Sequence, residues 1–132
     1  MKQKLAQLAI VVKDYDEAIA FYKEKLLFKL VEDTRLSDVK RWVVVSPSGA
    51  GGPNLLLAKA ATAEQESRVG NQTGGRVFLF MHTDNLKEYF QHLVNAGVTI
   101  IRQPHVEEYG QVAVFADLYG NLWDLIEPTN YH

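Results

Sequence analysis

The strongest constraint on this chain is that its pattern is written twice. Residues 7–28, QLAIVVKDYDEAIAFYKEKLLF, read as an apolar strand, an aspartate and an amphipathic helix. The same order returns from Phe78 in FLFMHTDNLKEYFQHLVNAGV, where Asp84 echoes Asp14. The stretches that follow also correspond. Gly52-Pro53-Asn54-Leu55-Leu56-Leu57 aligns with Gly120-Asn121-Leu122-Trp123-Asp124-Leu125, each reading as the last strand of a unit. A period of about seventy residues is too long for a solenoid repeat and implies a duplicated half-domain.

Each copy resolves into the same elements. Leu5 to Val12 is short and apolar, a buried strand by pattern. Asp14 fits a helix N-cap, and Glu17 three positions on completes a capping box. Ala18, Phe21, Tyr22 and Leu26 share one helix face, with Lys23, Glu24 and Lys25 mostly off it. Strands follow at Phe28 to Thr34, Lys40 to Ser46 and Asn54 to Lys59, with a turn at Leu36-Ser37-Asp38 and a Gly/Pro loop over 47–53. Ala60 to Arg68 suits a helical turn or two, and the glycine-rich run from Gly70 to Gly75 breaks it. In the second copy Arg76 to His82 is a strand, and an Asp84-capped helix buries Leu86, Tyr89, Phe90 and Leu93. Gly97 ends that helix. Val98 to Gln103, Gln111 to Ala116 and Leu122 to Glu127 complete the set, the last two joined by a turn at Asp117-Leu118-Tyr119-Gly120. The expected fold class is α+β, two tandem βαβββ modules forming an open curved barrel. It is one domain over 1–132, with modules at about 4–60 and 76–128 and a linker at about 61–75.

Composition narrows the function by exclusion. A chain of 132 residues with 47% hydrophobic content can bury a real core. The formal net charge of −2 gives no reason to expect nucleic acid or an anionic membrane as partner. No cysteine is present, which removes disulfides, thiolate metal sites and cysteine nucleophiles. There is no signal-peptide pattern and no apolar run near the ~20 residues a bilayer requires, so a cytoplasmic location is expected. No GK[ST] or GxGxxG motif follows a strand, and no serine sits on a strand-to-helix elbow.

A tandem βαβββ chain with VVKDYDEAIAFY near its start and FADLYGNLWDLIEP at its end resembles the vicinal oxygen chelate superfamily, over about residues 4–128. That group includes glyoxalase I, bleomycin-resistance proteins, fosfomycin-resistance enzymes and extradiol dioxygenases. The resemblance implies two half-barrels enclosing a cavity, and a homodimer. In many of its enzymes four positions hold a divalent metal, one on the first and one on the last strand of each unit. Counting from shared landmarks, those positions here are Gln7, Leu56, Phe78 and Asp124.

Gln7 and Asp124 can offer oxygen to a cation; Leu56 and Phe78 cannot. Two protein ligands fall short of the three or four usual for Zn, Ni or Fe. No metal or other cofactor is therefore expected, and true glyoxalase I and an iron extradiol dioxygenase are disfavoured. The candidate ligand pocket is Gln7, Leu56, Phe78, Phe80, Trp42 and Tyr109, with Trp42 equally able to pack on the helix side. Asp124 is the candidate catalytic residue, as a general base or as a holder of a polar ligand group; pairing with Gln7 is its structural alternative. His82 and His105 are the nearest substitute ligands, the latter in a loop beside Glu107 and Glu108. Arg41 and Arg76 are candidates for a cationic rim. The partner expected from these residues is a small organic molecule. Binding protein or enzyme of unknown substrate is the first reading. A metal-dependent glyoxalase-type lyase or dioxygenase using Gln7 and Asp124 is the alternative.

Overall fold

The structure, a computed structural model, describes residues 1–47 and 51–130. It divides into two compact units, Met1–Val69 and Gly70–His132, matching the two copies in the sequence. The loop expected over 47–53 falls partly outside the described residues.

The first unit contains β1 (Gln7–Val12), α1 (Tyr15–Ala20), β2 (Lys29–Arg35), β3 (Arg41–Ser46), β4 (Asn54–Lys59) and the short α2 (Ala63–Arg68). Its sheet runs β1-β4-β3-β2, with β1 parallel to β4 and the other pairs antiparallel. The second unit repeats this with β5 (Val77–His82), α3 (Leu86–Asn95), β6 (Thr99–Glu107), β7 (Gly110–Ala116) and β8 (Leu122–Pro128), in the order β5-β8-β7-β6. The α+β class and the two βαβββ modules are as the sequence predicts. Each sheet is open, with two edge strands.

Alternation decides the faces. Along β4, Leu55 and Leu57 are buried while Asn54, Leu56 and Ala58 are half-buried on the other face. Along β3, Val43 and Val45 join the buried set, which packs with Ala18, Tyr22 and Leu26 of the first helical segment. In the second unit Phe115 stacks on its register partner Trp123 at 5.7 Å, beneath Leu86 and Leu93 of α3.

All three helices are side-chain capped, α2 by Thr62, and one of them not where the sequence suggests. Asp14 caps α1, accepting from the Glu17 amide at 2.8 Å. The cap of α3 is Asn85, not Asp84: Asn85 Oδ1 accepts from the Glu88 amide at 3.1 Å, and its Nδ2 donates to Glu88 Oε2 at 2.9 Å. Thr83 Oγ1 accepts from the Asn85 amide, and Glu127 of β8 accepts from the Leu86 amide at 2.8 Å. An asparagine can both accept from the helix and donate to its own capping-box partner, which an ionised aspartate cannot.

The first helix is also less regular than its pattern implies. Phe21–Lys25 widens into a π-turn, and the Leu26 amide reaches the Phe21 carbonyl at 3.1 Å. Leu27 then turns the chain at φ 62, a left-handed conformation without the usual glycine. Helix α3 ends in the expected way. Gly97 (φ 79) donates to the Val94 carbonyl and Val98 to that of Leu93, a Schellman motif with Leu93 and Val98 buried together.

Candidate functional site

In the first unit, alternation carries Trp42 and Leu56 onto the sheet face opposite Val43 and Leu55, since Val44 pairs with Leu56. Both border a cavity of about 570 Å³, together with Tyr15 of α1, Val39, Lys40, Arg41, the chain from Leu57 to Ala61, and Gln65. By alternation Trp42 shares the face of Val44 and Leu56, and it borders the cavity. A smaller adjoining space of about 270 Å³ shares Tyr15, Val39, Lys40, Arg41 and Lys59, and adds Asp14, Arg35, Ser37 and Asp38.

Arg41 is committed internally. Its guanidinium contacts Asp33 at 2.7 and 3.0 Å and Asp16 at 3.0 Å, and lies over the Tyr15 ring at 5.1 Å. The Tyr15 hydroxyl accepts from the Arg41 amide at 3.1 Å. These hydrogen bonds from Arg41 hold the Asp33 carboxyl below its ordinary value, and the two carboxylates push the guanidinium up. Arg41 therefore buttresses the wall, and the uncommitted positive charge along it belongs to Lys40 and Lys59.

The second unit presents a different face. Phe80 is the register partner of Asp124, Asp124 of Val114, and Val114 of Arg102. Phe80 is 65% exposed, and Tyr109, at the β6–β7 turn, 56%. Desolvation raises the Asp124 carboxyl above its ordinary value, outweighing the attraction of His105 and Arg102. His105 is not in a loop, as its sequence context suggests, but on β6. Its Nε2 lies 2.9 Å from Glu107 Oε1, where the ring N–H can donate to the carboxylate. Continuing β6 past Pro104 is what places it on the strand, as bulges between Ile100 and His105 absorb the irregularity.

The register places the four positions the resemblance singles out on their strands. Gln7 stands seven residues before the cap Asp14, and Phe78 seven before the cap Asn85, so the observed caps bring the two copies into step. Leu56 pairs with Ala9 and Asp124 with Phe80, each two residues beyond Gln7 or Phe78. Gln7 is half-buried opposite Asn54, and Phe78 sits where the β5–β8 register slips. The hydrocarbon side chains of Leu56 and Phe78 have no lone pair to give, so these residues do not fit a four-ligand metal centre.

The structure thus gathers Trp42 and Leu56 around one cavity and aligns Phe80 with Asp124. Sequence reasoning missed Tyr15, Lys40 and Lys59 as cavity residues. Tyr15 reads only as the first residue after a cap, and the two lysines as solvated strand ends.

Two open βαβββ sheets with this register define the class of protein, and comparison with known families agrees. Residues 4–125 match the Glyoxalase/Bleomycin resistance protein/Dioxygenase superfamily, and the chain belongs to it. It is 53% identical over 128 residues to an uncharacterised protein of Shewanella frigidimarina (strain NCIMB 400), covering 96% of this chain and 95% of that one. Among solved structures, UcmS2 superposes with a TM-score of 0.83 at 29% identity, covering 96% of this chain and 99% of that one. TnmS3, described as an antibiotic binding protein from Streptomyces sp. CB03234, superposes with a TM-score of 0.78 at 26% identity, covering 97% and 98%.

Proposed function

We propose that this protein binds or sequesters a small organic molecule, without a metal, in a pocket walled by Trp42 and Leu56. The observation that carries the reading is the cavity of about 570 Å³ in the first unit, a volume within the usual range for drug-sized ligands. Its walls join apolar side chains to a few polar groups, as such sites require. The absence of donor atoms at Leu56 and Phe78 and the likeness to an antibiotic binding protein support it. The proposal includes a homodimer, which size-exclusion chromatography with light scattering would measure.

Elemental analysis before and after incubation with Ni, Fe, Mn and Zn, followed by a small-molecule binding screen, tests the reading. The expected result is no metal retained through dialysis and saturable binding that Trp42→Ala weakens. Near-stoichiometric, dialysis-resistant metal would overturn it. A second reading, acid–base catalysis on a bound substrate, rests on Asp124. Its carboxyl is raised above its ordinary value by desolvation and lies near Arg102 and His105, the kind of perturbed group that can serve as a general base. Loss of turnover in Asp124→Asn with retained ligand binding would favour it.

A further inference from the structure

The cavity of the first unit has a charge character that points to its ligand class; this inference rests on the binding function proposed above. Its lining includes Lys40, Arg41 and Lys59 and no acidic residue. Taken with the smaller adjoining space, the walls carry four basic residues and two acidic ones, in a chain whose formal net charge is −2. Arg41 is offset by Asp33 and Asp16. Lys40 and Lys59 form no ion pair among the described residues, and both belong to the wall shared by the two spaces. Lys40 and Lys59 are both exposed, so the attraction they offer an anionic group seated there is open to screening by salt.

The apolar side of the cavity is equally specific. Trp42 is half-buried, and its indole stacks on no other ring among the described residues. The Tyr15 ring, by contrast, is covered by the Arg41 guanidinium. Leu56, Ala58 and Val39 add apolar wall without a hydrogen-bonding side chain. A flat ring against Trp42 gains stacking beyond the area it buries. We infer that the ligand is a planar aromatic anion, its ring system against Trp42 and Leu56 and its carboxylate, sulfonate or comparable group at Lys40 and Lys59.

Two fluorophores that share one aromatic framework separate the components. 8-Anilinonaphthalene-1-sulfonate carries the anion, and N-phenyl-1-naphthylamine lacks it. Both brighten on entering an apolar site, so fluorimetric titration of the purified full chain reads both. The expected result is one saturable site binding the sulfonate at least tenfold more tightly. That preference should shrink as salt rises and disappear in a Lys40→Gln/Lys59→Gln variant that still binds the neutral dye. Trp42→Ala, shown folded by an unchanged urea midpoint, should weaken both dyes. Equal binding of the two dyes, or tighter binding of the neutral one, would overturn the anionic assignment and leave the pocket standing. Binding of neither dye, or binding untouched by Trp42→Ala, would overturn the pocket with it.

Discussion

The three leucines of β4 allow the assignment of faces to be tested at adjacent positions. Leu55 is 4% exposed and pairs with the fully buried Val45, so its side chain lies in the packed layer beneath the helix. Leu56 points the other way and borders the cavity. Truncating Leu55 to alanine removes buried methyl groups and leaves a void that a close-packed interior closes only in part. The measured range for such changes places the cost at about 3 kcal/mol. Truncating Leu56 only enlarges a space that already exists. The loss there is the transfer energy of a partly buried side chain, roughly 1 kcal/mol or less. Urea unfolding followed by far-UV circular dichroism, with a slope of about 2 kcal/mol per molar, separates the midpoints by about 1 M. A Leu56→Ala midpoint as low as that of Leu55→Ala, with unchanged slopes, would refute the assignment and with it the cavity wall.

Three further outcomes follow from other parts of the molecule. Asn85→Ala should cost about 1 kcal/mol in a thermal melt, because it removes the acceptor for the Glu88 amide. Asp84→Ala should stay within about 0.5 kcal/mol, and the reverse order would return the cap to Asp84. Gly70→Ala should destabilise by roughly 3 kcal/mol or more, since its φ is +74 and a Cβ would stand 1.8 Å from the Tyr119 carbonyl oxygen; a neutral melt would contradict that close approach. Asp124→Asn should raise the urea midpoint at pH 7. A carboxyl raised above its ordinary 3.8 binds its proton more tightly folded than unfolded, so stability falls as pH rises from that value through the raised one. The asparagine variant escapes that loss, and its advantage should vanish below pH 3; an advantage independent of pH would exclude desolvation as the cause.

The elements were legible because burial writes a period into the sequence. Asn54–Lys59 has the bounds its composition suggests, and Ala18, Phe21, Tyr22 and Leu26 are all buried as their spacing requires. What escaped was decided by single groups. Asp84 and Asn85 are adjacent good caps, and only the Glu88 amide and side chain distinguish them. His105 reads as a loop residue beside Glu107 and Glu108, yet bulges let β6 continue to Glu107. The π-turn at Phe21–Lys25 left no mark, because the widened turn still buries the same apolar residues. The cavity was half legible: Trp42 and Leu56 were identifiable, whereas Lys40 and Lys59 acquire meaning only from the wall they share.

Comparing the two copies with each other explains why fold was easier to read than chemistry. Across the first sheet, one row of register partners runs Glu32, Val44, Leu56 and Ala9. The equivalent row of the second sheet runs Arg102, Val114, Asp124 and Phe80. Valine on the third strand is the same, and every other position has changed size or charge. One residue along β4 and β8, on the helix-facing side, Leu55 and Leu57 correspond to Trp123 and Leu125, and all four remain apolar and buried. Packing against a helix tolerates few substitutions that are not apolar, whereas a face that meets ligand or solvent is held only by what it contacts. Differences in polarity between equivalent positions of a duplicated unit therefore mark the faces released from folding. Here they mark an apolar face around Leu56 and Trp42 in one copy and a charged face around Asp124, Arg102 and His105 in the other.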